Sequence, residues 1–145
     1  MAFLPFGQVC LKSLIRKEWD FVPRTLGEHL KKRRLILGLR QEDVALQLGV
    51  GPESVLHWEK GQTAPPISVI PRIIAFLGYE PYPAPETLSE RMLAFRRRRG
   101  WSIEQAARDL GVDPGTWARW ERQGEVPWKV YRDLLGERLA RHLQP

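Results

Sequence analysis

Three histidines, a single cysteine and two runs of basic residues are the groups in this 145-residue chain whose types invite chemistry. His29, His57 and His142 are scattered without metal-ligand spacing, and Cys10, being alone, can form no internal disulfide. There is no glycine-rich phosphate loop and no Ser/His/Asp set at telling positions. An enzyme is therefore not expected, nor a bound cofactor or metal. The basic runs are "KKRR", Lys31 to Arg34, and "RRRR", Arg96 to Arg99. Four consecutive residues wrap right round a helix, so part of each run faces solvent, where it is either simply solvated or in contact with phosphate. With 23 Lys and Arg against 17 Asp and Glu, the formal charge is +6, and the pI is near 9.9. Such an excess favours a polyanionic partner: DNA, RNA or an acidic membrane surface.

Placing these groups requires helices, and the signals for them are local. "TLGEHLKKRRLILG" opens with Thr25 and, three residues later, Glu28, a capping box. It carries Leu26, Leu30, Ile36 and Leu37 and stops at Gly38. "RQEDVALQLG" puts Glu42 and Asp43 in a first turn, where acids suit the helix dipole, with Val44, Ala45 and Leu48 inward and Gly49 at its end. "PESVLHWEK" starts with Pro52, which lacks only an N–H that a first turn leaves unbonded, and closes at Gly61. The tight turn "LGVG" joins the last two stretches, a helix-turn-helix pattern. A fourth helix, "ISVIPRIIAFLG", is expected to be regular from near Ile70, because Pro71 is tolerable only in a first turn. "YEPYPAPE", with Pro81, Pro83 and Pro85, suits neither helix nor central strand. It reads as a stiff spacer of about 20 Å in polyproline form.

The pattern then restarts at Thr87 at an offset of 62, with no gap. Thr25/Thr87, Glu28/Glu90, Arg34/Arg96, Gly38/Gly100, Ala45/Ala107, Gly49/Gly111, Pro52/Pro114, Trp58/Trp120 and Glu59/Glu121 are identical pairs. The chain is a tandem duplication of one small helical unit. The expected fold is all-α: a basic N-terminal arm or tail over 1–24, one bundle over 25–79, a Pro-rich linker over 80–86 and a second bundle over 87–145. Lys12, Arg16, Lys17 and Arg24 make the arm basic. Val130, Leu134, Leu135, Leu139 and Leu143 form a helical stripe near the C-terminus. It is expected to be a longer fourth helix of the second bundle, with a partner-binding or dimerising helix as the alternative. No apolar run approaches the roughly 18 residues that span a bilayer. The first residues lack a signal peptide's basic region and cleavage site, so a cytoplasmic protein is expected.

"QEDVALQLGVGPESVLHWEKG" resembles the Xre/Cro family of lambda-repressor-like helix-turn-helix domains. The family pattern is a Gln-Glu-x-x-Ala helix, a Gly-Val turn, a recognition helix bearing Ser or Thr, then Trp-Glu-x-Gly. Gln41, Glu42, Ala45, Gly49, Val50, Ser54, Trp58, Glu59 and Gly61 fit it, and the second copy fits through Glu104, Ala107, Gly111, Val112, Thr116, Trp120 and Glu121. The resemblance covers 25–77 and 87–124. It implies bundles of four or five helices that bind duplex DNA and commonly regulate transcription.

The resemblance also implies roles for individual residues. Base-reading positions fall on Gly51, Pro52, Glu53, Leu56 and His57, and on Asp113, Pro114, Gly115, Ala118 and Arg119. Arg119 suits guanine, His57 suits one hydrogen bond, and Glu53 suits the cytosine amine. Glu53 and Asp113 are repelled by phosphates, and Pro52, Pro114 and Gly115 also read as residues that only shape a helix start. Ser54 and Thr116 suit bases or phosphates. Gln41 is placed near a phosphate at the preceding helix's N-terminus; Ile103 replaces it in the second copy, leaving Ser102 to cap the helix and reach phosphate. Lys60 and Arg122 are phosphate candidates. Arg34–Glu59 and Arg96–Glu121 are expected as salt bridges inside each unit, and Trp58, Trp117 and Trp120 as core.

The implied function is a sequence-specific double-stranded DNA-binding transcriptional regulator, with either both units or the first alone engaging DNA. The alternative is an antitoxin-like or adaptor protein that kept the fold and binds DNA only weakly and without specificity. A protein partner or homodimer through the C-terminal helix is a further expectation, and no membrane is implied.

Overall fold

Thr25 and Thr87 start two helices in the same way. Each threonine hydroxyl accepts the N–H of the glutamate three residues on, Glu28 or Glu90, at 3.2 Å. Each glutamate carboxylate in turn accepts the threonine N–H. Both orphan donors of a helix start are thereby satisfied reciprocally. The structure, a computed structural model, describes residues 19–124 and 129–141. The first copy contains α1 (Leu26–Ile36), α2 (Gln41–Leu48) and α3 (Pro52–Glu59), followed by a 3-10 turn (Ile67–Val69) that runs into α4 (Ile70–Leu77). The second contains α5 (Leu88–Arg99), α6 (Ile103–Leu110), α7 (Pro114–Gln123) and α8 (Lys129–Arg141). No strand occurs among the described residues, so the fold is all-α.

The chain packs as two units. One takes residues up to Pro65 together with Phe76–Pro81; the other takes Pro66–Ala75 and everything from Tyr82 onward. This differs from a division at residues 79 and 87. The 3-10 turn packs with α5, in the second unit. The cause is visible at Gly100, whose φ of +67° ends α5. A methyl there would meet Pro71 Cγ at 3.0 Å and the Ser68 carbonyl oxygen at 3.2 Å, so glycine admits this segment against the helix end. Tyr82, inside the proline-rich stretch, carries the Arg97 guanidinium 3.9 Å above its ring. That part of the expected spacer is therefore held on the second unit.

In the first unit, α1 and α2 each pack on α3. Leu30, Val44, Ala45, Leu48, Val55 and Trp58 are buried. Each fully buried aliphatic side chain contributes roughly 1.5–3 kcal/mol. Helices α1 and α3 approach closely because residue 27 is glycine: a methyl there would lie 1.8 Å from the Trp58 carbonyl oxygen. In the second unit Met92, Phe95, Ala106, Ala107, Leu110, Trp117 and Trp120 form the core. Leu135 and Leu139 of α8 complete it. Of the apolar stripe of α8, Leu135 and Leu139 are thus taken up by its own unit while Leu134 is exposed, and Arg138 ties the helix to Asp109 of α6 at 3.2 Å. Residues 1–18, which hold most of the expected basic arm, and Leu143 lie outside the described residues.

Candidate nucleic-acid interface

Helix α3 turns Val55 and Trp58 inward, and so presents Glu53, Leu56, His57 and Lys60 on the opposite side. Glu53, His57 and Lys60 are exposed, while Ser54 and Leu56 are half-buried. In the same way α7 buries Trp117 and Trp120 and presents Gly115, Ala118, Arg119 and Arg122. Asp113, Gly115, Arg119 and Arg122 are exposed; Thr116 and Ala118 are half-buried. In α3 the face therefore holds one carboxylate, one imidazole and one ammonium. In α7 it holds two guanidiniums behind two small residues.

The two helices end differently. Lys60 is the C-cap of α3, ahead of Gly61 at φ +70°. In the second copy Gln123 stands at the equivalent of Gly61, and the left-handed glycine comes one residue later, at Gly124. Helix α7 consequently runs on to Gln123, and Arg122 lies within its last turn rather than beyond it. The Arg122 Nε there reaches its own Ala118 carbonyl at 3.4 Å.

Each of these helices is fixed from behind by one carboxylate. Glu59, at 3% side-chain exposure, receives Arg34 Nε at 2.6 Å and Nη2 at 2.8 Å. Glu121 receives Arg96 Nη2 at 2.6 Å and Nε at 2.8 Å. These are two-pronged ion pairs, the strongest geometry an arginine offers a carboxylate. Both arginines also donate Nη1 to the backbone five residues on, at Leu39 and Trp101. A third donor completes each carboxylate. In the first unit it is Gln41 Nε2 at 2.9 Å, from the start of α2. In the second it is Trp117 Nε1 at 2.7 Å, from α7 itself. This exchange escaped the sequence reading. Its trace is that positions 41 and 55 are Gln and Val in one copy, while 103 and 117 are Ile and Trp in the other.

The helix starts also separate the copies. Asp113 Oδ2 accepts the N–H groups of Gly115 and Thr116 at 2.8 and 3.3 Å. Gly51, its counterpart, offers no side-chain cap. Ser102 caps α6: its hydroxyl accepts from Gln105 N at 3.2 Å, and the Ser102 N–H in turn donates to Gln105 Oε1. Of the two residues assigned to phosphate at the preceding helix, Gln41 thus has its amide nitrogen on Glu59, and Ser102 has its hydroxyl on its own helix.

The basic runs are largely built into the units. Arg34 and Arg96 are held by the two glutamates. Arg97 lies over Tyr82, and Arg99 lies over Trp101 at 4.7 Å and Phe95 at 5.4 Å. Lys32 donates to the Phe21 carbonyl at 2.6 Å, and Lys31 is exposed. Arg40, at the start of α2, is shared between Glu42 and Asp43. Four carboxyls at helix starts are held below their ordinary values. Glu28 is lowered by the N–H groups of Arg24 and Thr25, and Glu90 by those of Thr87 and Glu86. Asp43 is lowered by the Arg40 N–H, and Glu104 by its own N–H and the Ser102 hydroxyl.

Among the described residues, no group of His, Cys, Asp and Glu could hold a metal ion. None of the described helices is long and apolar enough to cross a membrane. Residues 30–82 match a family model described as helix-turn-helix, and residues 87–144 match a second, described as helix-turn-helix domain. No curated protein and no solved structure shows a significant match to the chain. Two matches in tandem, each laid over one copy of the repeat and its α2–α3 or α6–α7 pair, place the chain in the helix-turn-helix family of the Xre, lambda-repressor-like kind.

Proposed function

We propose that this protein is a sequence-specific double-stranded DNA-binding transcriptional regulator that acts in the cytoplasm without a cofactor or catalytic step. The observation that carries the reading is the pair of outward faces on α3 and α7. Each is the second helix of a helix-turn-helix, anchored inward by tryptophan and, among the described residues, exposed at Glu53, His57 and Lys60 or at Gly115, Arg119 and Arg122. A helix presented in this way fits a major groove about 12 Å wide. Lys60 and Arg122, at the far ends of these faces, contact phosphate, and Ser54 and Thr116 hydrogen-bond bases or phosphates at the near ends. Gln41 and Ser102 then serve DNA chiefly by fixing α2 and α6. The basic balance of the chain adds a sequence-independent attraction that weakens as salt rises.

The test is selection of bound duplexes from a random pool by the full chain at physiological salt. A recovered consensus supports a specific regulator. Retention of all sequences alike, with affinity falling steeply between 50 and 200 mM salt, would favour the adaptor or antitoxin-like reading.

A further inference from the structure

The two outward faces are not equivalent in what they can read. On α7 the strip Gly115, Ala118, Arg119, Arg122 has spacing i, i+3, i+4, i+7, one side of the helix. Its first two members are glycine and alanine, so no side-chain bulk keeps the helix backbone away from a surface pressed against it. Arg119 follows, exposed, with no acidic partner among the described residues. This contrasts with Arg40, which two acids hold. On α3 the matching strip is Glu53, Leu56, His57, Lys60. There the glycine is replaced by a carboxylate, the alanine by a larger leucine, and the five-donor guanidinium by an imidazole.

The framework behind α7 is also the more self-contained. Trp117 and Trp120 are 1% and 3% exposed. Glu121 is gripped by Arg96 and by Trp117 of the same helix. Asp113 locks the first turn. A side chain one turn further on therefore projects from a rigid element, which is what directional readout requires.

We infer that base discrimination is concentrated in the second unit, with Arg119 reading a guanine through paired hydrogen bonds to O6 and N7, while α3 contributes contact with little base preference. Guanine offers two acceptors side by side in the major groove, and only a planar fork of donors satisfies both at once. Glu53 faces those acceptors, and the phosphates, as a like charge. This inference rests on the DNA-binding reading above.

The experiment compares duplexes selected by the full-length wild type with those selected by Arg119→Lys, Arg119→Ala and His57→Ala at physiological salt. Circular dichroism of each variant verifies its fold. The wild-type consensus is expected to contain a guanine that Arg119→Lys ceases to prefer, by roughly tenfold or more, although the charge is kept. Arg119→Ala loses the same preference and binds more weakly, and His57→Ala leaves the consensus intact. A guanine preference that survives Arg119→Lys overturns the inference, as does loss of the consensus in His57→Ala; either leaves the DNA-binding reading standing. A wild type that yields no consensus overturns both.

Discussion

The indole of Trp117 donates Nε1–H to Glu121 Oε2 at 2.7 Å, taking the place that Gln41 holds on Glu59 in the other copy. Each carboxylate is mostly removed from water and already carries two arginine bonds. A remaining lone pair left bare in such a site is unfavourable, so a third donor is supplied in both units, from different helices. The duplicated units have kept the arrangement and changed its parts.

Trp117→Phe keeps the ring and removes the donor. It is expected to destabilise the second unit by roughly 1.5–3 kcal/mol, the range for a hydrogen bond to a charged group. Ile103→Gln, which restores the residue found at Gln41, should recover part of that loss. Urea unfolding of the single and double variants measures both, and no recovery would mean that α6 does not bring residue 103 to Glu121.

Removing one member of the Arg34–Glu59 pair strands the other at low exposure. Arg34→Met or Glu59→Leu should each cost about 3 kcal/mol or more, because a buried charge without its opposite remains. Replacing both with apolar residues of similar volume, Arg34→Met with Glu59→Leu, should cost less than either single change. Thermal denaturation of the four proteins closes the cycle.

Gly27→Ala forces a methyl onto the Trp58 carbonyl, and the expected loss is about 1–3 kcal/mol or greater as α1 and α3 move apart. Its counterpart in the second copy is Ser89, whose hydroxyl donates to the Glu121 carbonyl. Ser89→Ala removes only that bond, at about 1 kcal/mol. Equal effects at the two positions would contradict the close approach at Gly27.

Acid should weaken the helix starts. The carboxyls of Glu28 and Glu90 have folded pKa values below their ordinary 4.5 because each accepts two backbone N–H groups. As the pH falls through 4.5, the unfolded chain takes up these protons first. The stability they supply is therefore complete above 4.5 and is lost as the pH drops through the folded values. Glu28→Gln with Glu90→Gln should flatten the dependence of Tm on pH in this range. A wild-type Tm that is level between pH 5 and 3 would refute the assignment.

His29 lies against Tyr79, with Nδ1 and the phenol oxygen 2.8 Å apart, and burial holds its pKa below 6.5. The folded state therefore takes up the proton less readily than the unfolded chain. Stability should be greatest above pH 6.5 and decline as the pH falls from 6.5 toward the folded value. A proton NMR titration of the imidazole should show a midpoint below 6.5, and Tyr79→Phe should disturb it.

Much of the secondary structure was legible because its determinants are local. Thr25 with Glu28, Thr87 with Glu90, Pro52, Pro114 and the left-handed glycines Gly49 and Gly111 act within one turn of the chain. Such caps are complete before any distant contact forms. The same holds for the repeat, whose register shows once two copies of these signals are aligned.

The division of the chain around residues 66–75 was not legible, because Val69, Ile70 and Ile73 are apolar enough to cover either core. Nor was the placement of Arg97 on Tyr82, or the bond from Gln41 to Glu59. The sequence alone determined which residues begin and end helices and that the pattern occurs twice, because those effects are carried by neighbours four or fewer positions apart. Which side chain completes a buried carboxylate and which unit residues 66–75 join were decided only by the tertiary structure. Those partners lie far apart in the chain, and only packing brings them within hydrogen-bonding distance.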